Sequence, residues 1–231
     1  MVPPPRPRAR PLGAILLAIV LASAARAAPA DLSANIGVVS DYRFRGVSLS
    51  NRKPALQGGV DLGLAGGWYA GTWGSTIARY GGSRAEVDLY GGRTGHVAGF
   101  DYSLGASLYL YPRGRRVNYA EVRAEFSRPV GPATLAVEAD YVPEQHNSRT
   151  DNIYVGARAT LVMPDTPFSL TLRGGYEDGF YARKLDWEAG LAVGDDHLSG
   201  SASLTGSHQG GAGDTGRLGR TGLRFALAAS F

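Results

Sequence analysis

From Phe100 to Tyr111 the chain keeps a strict two-residue period. Phe100, Tyr102, Leu104, Ala106, Leu108 and Leu110 take one set of positions; Asp101, Ser103, Gly105, Ser107 and Tyr109 take the other. In an extended chain the two sets point to opposite faces, so this segment predicts a strand with one apolar and one polar side. The pattern recurs roughly every 15 residues, with turn residues between. It covers 34–44, 55–65, 85–94, 119–130, 133–142, 152–162, 168–177, 185–193, 198–207 and 220–231. Only 68–77 is ambiguous, because both of its faces mix aromatic and small residues. About twelve strands are expected, an even number.

The last segment ends on Phe231, with Leu223, Phe225, Leu227 and Ala229 on one face. A terminal aromatic strand of this kind resembles the closing strand of bacterial outer-membrane barrels, where it also serves as the address for the barrel-assembly machinery. The connections point the same way. After even-numbered segments they are short, as at Gly66-Gly67, 95–99, Gly131-Pro132, 163–167 and 194–197. After odd-numbered segments they tend to be longer and more polar, as at 45–53, 143–151, 177–184 and 208–219. Short periplasmic turns and long outer loops give that asymmetry, and an even strand count puts both termini in the periplasm. Aromatics at segment ends, among them Tyr42, Trp68, Tyr111, Phe168, Tyr181 and Trp187, fit two interfacial girdles. The expected class is all-β: a transmembrane antiparallel up-and-down β-barrel of about twelve strands, in the outer membrane of a Gram-negative bacterium. A soluble sandwich or lipocalin-like barrel would share the alternation, but with its apolar face inward. Arg128 falls on the apolar face, two residues from a turn, where a lipid-facing arginine costs only ~0–1 kcal/mol.

Residues 1–30 form a signal peptide, with a basic start at Arg6, Arg8 and Arg10 and an apolar run from Leu12 to Ala22. Cleavage is expected after Ala27 or Ala30, leaving 31–231 as the barrel. The segment carries four of the 24 Lys+Arg and no acid, so the remainder balances 20 basic against 20 acidic residues. That balance gives no support to nucleic-acid binding. Zero cysteine in an exported chain excludes disulfide stapling. Glycine, at 33 of 231, sits inside the alternating segments and suits a strongly curved sheet packed against aromatics.

The opening 33–48, from Ser33-Ala34-Asn35-Ile36 through Asp41-Tyr42-Arg43-Phe44-Arg45-Gly46, resembles the start of the TorF-type porin family. Pro54-Ala55-Leu56-Gln57-Gly58-Gly59 and Trp68-Tyr69-Ala70-Gly71-Thr72-Trp73-Gly74-Ser75 are similar to its next two blocks. The resemblance covers the first third of the exported chain. It implies an outer-membrane barrel with a transport role, without substrate or residue assignments.

An inward polar face makes a lumen, and twelve strands lie between filled and widely open barrels. Glu86, Asp88, Glu121, Glu125, Glu138 and Asp140 come from one sector of the wall, whereas Arg43, Arg158, Arg173 and Arg224 come from another. Arg123 and Glu188 interrupt the division. These twelve are the expected lumen-lining residues. Opposed walls would set a transverse field that favours small polar or charged solutes, with Arg158, Arg173 and Arg224 at the constriction favouring anions. Alternatively the groups pair and close the lumen, leaving a plugged barrel with a structural or surface-binding role.

A barrel lipase would need Ser, His and an orienting group together. The sequence places His96 and His197 in periplasmic turns and His146 and His208 in outer loops, none beside a strand serine. No enzymatic activity, cofactor or metal is expected. The single run Gly210-Gly211-Ala212-Gly213-Asp214 is too short for a calcium-binding repeat. Arg52-Lys53, Arg113, Arg115 and Arg116 would meet lipopolysaccharide phosphates at the outer rim. The expected partners are therefore outer-membrane lipid and lipopolysaccharide, the assembly machinery and small polar solutes, with a monomer favoured.

Overall fold

Each alternating segment pairs with its sequence neighbour. The computed structural model describes residues 31–147, 150–180, 183–209 and 215–231. The signal segment, Ser148, Tyr181 and the glycine run 210–214 lie outside them. The barrel strands are β1 (Asp31–Val39), β2 (Ala55–Gly63), β3 (Trp68–Tyr80) and β4 (Ser83–Val97). They continue as β5 (Phe100–Leu110), β6 (Tyr119–Val130), β7 (Ala133–Val142) and β8 (Asn152–Val162). The last four are β9 (Phe168–Asp178), β10 (Lys184–Gly194), β11 (Leu198–Gln209) and β12 (Gly222–Ser230). All pairings are antiparallel and in sequence order, and β12 returns to β1 to close the barrel.

The seam has a definite register. Asn35 lies opposite Ser230 and Val39 opposite Ala226. Beyond the last rung Phe231 and Ala34 exchange two backbone hydrogen bonds, of 2.9 and 3.2 Å. Closure leaves no unpaired edge, which is what allows a sheet to lie in hydrocarbon.

Burial decides between the two rival architectures. The apolar positions face out: Val155 is 49% exposed, Leu227 53% and Leu104 46%. The polar positions face in, and Glu121 and Asp140 are 0% and 2% exposed. A soluble barrel or sandwich has the opposite arrangement. This inversion is the solution for a barrel whose solvent is lipid, and it places the chain in the outer membrane. Arg128 is exposed on the outer face near the β6–β7 turn, with its guanidinium 5.7 Å from the ring centre of Phe100. That cation–π contact shields the charge at the interface.

Several boundaries differ from expectation. The first strand stops at Val39, not at Phe44, and the chain then turns into the barrel. Arg43 therefore sits on this inward loop and not on a strand of the wall. A two-residue ladder within the loop pairs Arg43 with Ser48 and Phe44 with Val47. The third and fourth strands run on to a Gly81-Gly82 turn, so one outer connection is only two residues long. A register shift between Thr76 and Tyr80 absorbs the misfit. The extra strand length moves His96 into β4 and His208 into β11, out of the connections expected for them.

Candidate functional site

The loop Ser40–Pro54 fills the outer half of the lumen. Its anchor is Arg45, which adopts a positive φ of 47° and is followed by Gly46 at 77°. The pair reverses the chain inside the barrel. A side-chain carbon on Gly46 would lie 2.3 Å from the Gly206 carbonyl oxygen, so only glycine lets the loop rest on β11. The Arg45 guanidinium donates to Glu121 on β6 at 2.7 Å, Asp140 on β7 at 2.5 Å and Glu177 on β9 at 3.3 Å. It is sandwiched between the rings of Phe44 and Tyr154, at 4.5 and 4.3 Å. Lys184 Nζ donates to the Arg45 carbonyl at 3.0 Å and pairs with Glu177. Tyr42 donates to Glu86 on β4 at 2.5 Å. One loop is thereby tied to strands around the whole circumference.

Of the expected lumen residues, Glu86, Asp88, Glu121, Arg123 and Asp140 belong to this outer layer. Arg123 donates to both carboxylate oxygens of Asp140, at 2.6 and 3.0 Å, so Asp140 is shared between Arg123 and Arg45. Asp88 is almost fully buried, and its Oδ1 has no hydrogen-bond partner among the described residues. Tyr90, Tyr109 and Tyr111 make the packed part of this layer, against Phe44, Tyr69 and Trp73. Buried tyrosines and ionic groups dominate this interior, beside a small cluster of Val39, Tyr42 and Ala55.

A second layer lies on the periplasmic side of the first. Arg158 on β8 donates to Glu125 on β6 at 3.0 Å, Arg173 on β9 to Glu138 on β7 at 3.2 Å, and Arg224 on β12 to Glu188 on β10 at 3.3 Å. Each pair reaches across one intervening strand. The three arginine side chains keep 24–28% of their surface exposed, unlike Arg45 at 2%. Below this belt the inward positions of these walls are small and polar, such as Ser127, Thr160, Thr171 and Ser201. The histidines stay away from both layers: His96 pairs with Asp101 near the β4–β5 turn, and His146, His197 and His208 are exposed.

The model of the family described as "Bacterial protein of unknown function (Gcw_chp)" matches residues 23–217. The chain belongs to that family. Among curated proteins no sequence matches. Solved structures give the fold independently. The chain is similar to the KdgM porin at TM-score 0.59 and 8% identity, over 86% of this chain and 98% of that one. It is similar to the NanC porin at TM-score 0.57 and 12% identity, over 87% and 99%. A second KdgM structure, in complex with disordered oligogalacturonate, aligns at TM-score 0.58 and 7% identity, over 86% and 98%. At such identities the likeness is one of fold: an outer-membrane-type barrel of the porin kind.

In this Gcw_chp chain the residues missed by sequence reasoning are Arg45, Glu177, Lys184 and Asp186. Glu177 shares the parity of Arg173, and Lys184 and Asp186 share that of Glu188. Glu177 and Asp186 already stood in the expected segments 168–177 and 185–193 with inward parity, and only Lys184 needed the second segment to start one residue earlier. Arg45 carried no such signal, since a loop has no period.

Proposed function

We propose that this protein is an outer-membrane channel for passive diffusion of small polar or charged solutes, of the TorF type that its first third resembles. The observation that carries this reading is the belt of Arg158–Glu125, Arg173–Glu138 and Arg224–Glu188 pairs facing the lumen, whose arginines stay partly exposed. Carboxylates on β6, β7 and β10 face guanidiniums on β8, β9 and β12 along one side of the wall, a lining suited to hydrated dipolar or zwitterionic solutes. The inward loop would narrow the path, since its contacts reach β4, β6, β7, β9 and β10. In the same reading the C-terminal strand ending at Phe231 addresses the assembly machinery, and residues 1–30 are removed on export.

The refolded full-length barrel in a planar bilayer should give discrete open levels. Replacing Arg158, Arg173 and Arg224 with Gln together leaves three lumen carboxylates without their cations. The reversal potential in a salt gradient should then move toward cation selectivity. An unmoved potential would remove these arginines from the conduction path. A second reading, a plugged barrel with a structural role, is favoured by the density of buried ionic contacts on Arg45. A correctly folded but electrically silent barrel would select it.

A further inference from the structure

At the outer mouth, two like-charged groups converge on a residue without a side chain. Gly222 opens β12 and faces the lumen, in register with Thr205 and two residues above Arg224. A side-chain carbon built on Gly222 would lie 2.9 Å from Arg43 Nη2 and 3.0 Å from Arg52 Nη2. The two guanidinium nitrogens are therefore within about 6 Å of each other, a separation at which like charges repel unless an anion joins them.

The remaining donors of Arg43 are occupied. Its Nε donates to Asp41 at 2.7 Å. Its Nη1 donates to the carbonyls of Gly46, Thr205 and Arg220, at 3.3, 3.1 and 2.9 Å. These contacts fix the guanidinium rigidly, with its side chain only 2% exposed. Its Nη2 is buried and has no partner among the described residues. Arg52 is exposed at the mouth and spends Nη1 on the Arg217 carbonyl at 3.3 Å, and its Nη2, without a hydrogen-bond partner among the described residues, faces the same point. Arg217 itself is turned away, donating to Asn51. No carboxylate forms an ion pair with Arg52, Arg217 or Arg220 among the described residues, so Asp41 is the single acid in contact with this group.

We infer that Arg43 Nη2, Arg52 Nη2 and the bare backbone of Gly222 form a binding site for an oxyanion, a carboxylate or phosphate group carried by a solute entering the lumen. The chemistry is that of two guanidinium edges sharing one anionic group, with one edge preorganised and the other open to exchange. The site deepens the channel reading, because it lies on the wall a solute would pass before reaching Arg224. Its test is nonetheless an equilibrium measurement that needs no conduction. A site that fails in a conducting barrel, and a site that binds in a silent one, are thus told apart.

The probe is inorganic phosphate, titrated into the refolded full-length protein in a zwitterionic detergent and followed by phosphorus NMR line broadening. Saturable binding is expected. Arg52→Gln should weaken it about tenfold or more, the equivalent of one charge-assisted hydrogen bond. Gly222→Val should abolish it by driving the Arg43 and Arg52 guanidiniums out of place, whereas Arg217→Gln should leave it within about twofold, since that guanidinium points elsewhere. A heat-modifiability assay on each variant confirms that the barrel has formed. Absence of saturable binding, or binding indifferent to both Arg52→Gln and Gly222→Val, would overturn the site. Displacement of phosphate by purified lipopolysaccharide, but not by free acetate or a sugar acid, would assign the cluster to rim lipid and overturn it equally.

Discussion

Arg45 shows how much of the interior depends on one side chain. It neutralises part of three carboxylates that water does not reach, and two aromatic rings hold it in plane. Removing one partner of a buried ionic set costs about 3–5 kcal/mol, because the charges left behind stay desolvated. Arg45→Ala should therefore lower the urea midpoint of the refolded barrel, and it should raise single-channel conductance by freeing the loop. A midpoint equal to that of the parent protein would show that the cluster relaxes without it. Gly46 is the complementary case, fixed by space and by its positive φ and not by charge. Strand parity put Arg123, Glu121 and Asp140 on the inner face, but sequence reasoning missed Glu177 and set Arg43 on a strand where the chain is a loop. It missed Arg45 because its contacts are set by where a non-periodic loop happens to land.

The connections carry their own chemistry at the scale of the element. In the β10–β11 turn, Asp195 accepts hydrogen bonds from the backbone N–H groups of His197 and Leu198, both at 2.8 Å. Those bonds, from Leu198 first and His197 next, hold its carboxyl below the usual aspartate range. The folded value being depressed, the turn's stabilisation is complete above the unfolded value of ~3.9 and is lost as pH falls through the lower folded value. Amide exchange at Leu198, corrected for intrinsic pH dependence, should speed up across that acid window. Asp195→Asn should flatten the response, since the amide oxygen still accepts but does not titrate. A persisting pH step in the variant would place the sensitive group elsewhere. The β3–β4 connection makes a different point: the ambiguous segment 68–77 hid a strand reaching Tyr80. Mixed faces at a bulge erase the two-residue signal, so the Gly-Gly turn after it was not visible as a hairpin.

The whole molecule is organised by its solvent. Twelve strands expose aliphatic and aromatic side chains outward and gather charge inside, the reverse of a water-soluble domain. The cost of an outward charge then depends on depth. Arg128 stands beside Phe100 near the periplasmic edge, whereas Ala157 is exposed near the middle of β8. Ala157→Arg should destabilise the barrel by about 2–4 kcal/mol in lipid vesicles, measured by urea unfolding, and much less in short-chain detergent. Equal effects in both solvents would mean that this face does not meet hydrocarbon.

The sequence by itself determined the strand count, the neighbour-to-neighbour pairing, the even topology and which residues share the inner face. All of these follow from a two-residue period and from the short connections that alternate with longer outer loops. The closing pair of last strand against first was likewise implied by the two edges left to join, whereas its register, with Asn35 opposite Ser230, was not. Only the tertiary structure decided what fills the barrel. The inward turn at Arg45-Gly46, the carboxylates it ties together and the meeting of Arg43 with Arg52 over Gly222 join residues far apart in the chain. Charge–charge contacts across a lumen depend on curvature and on the path of one loop, and neither leaves a periodic trace in the order of amino acids.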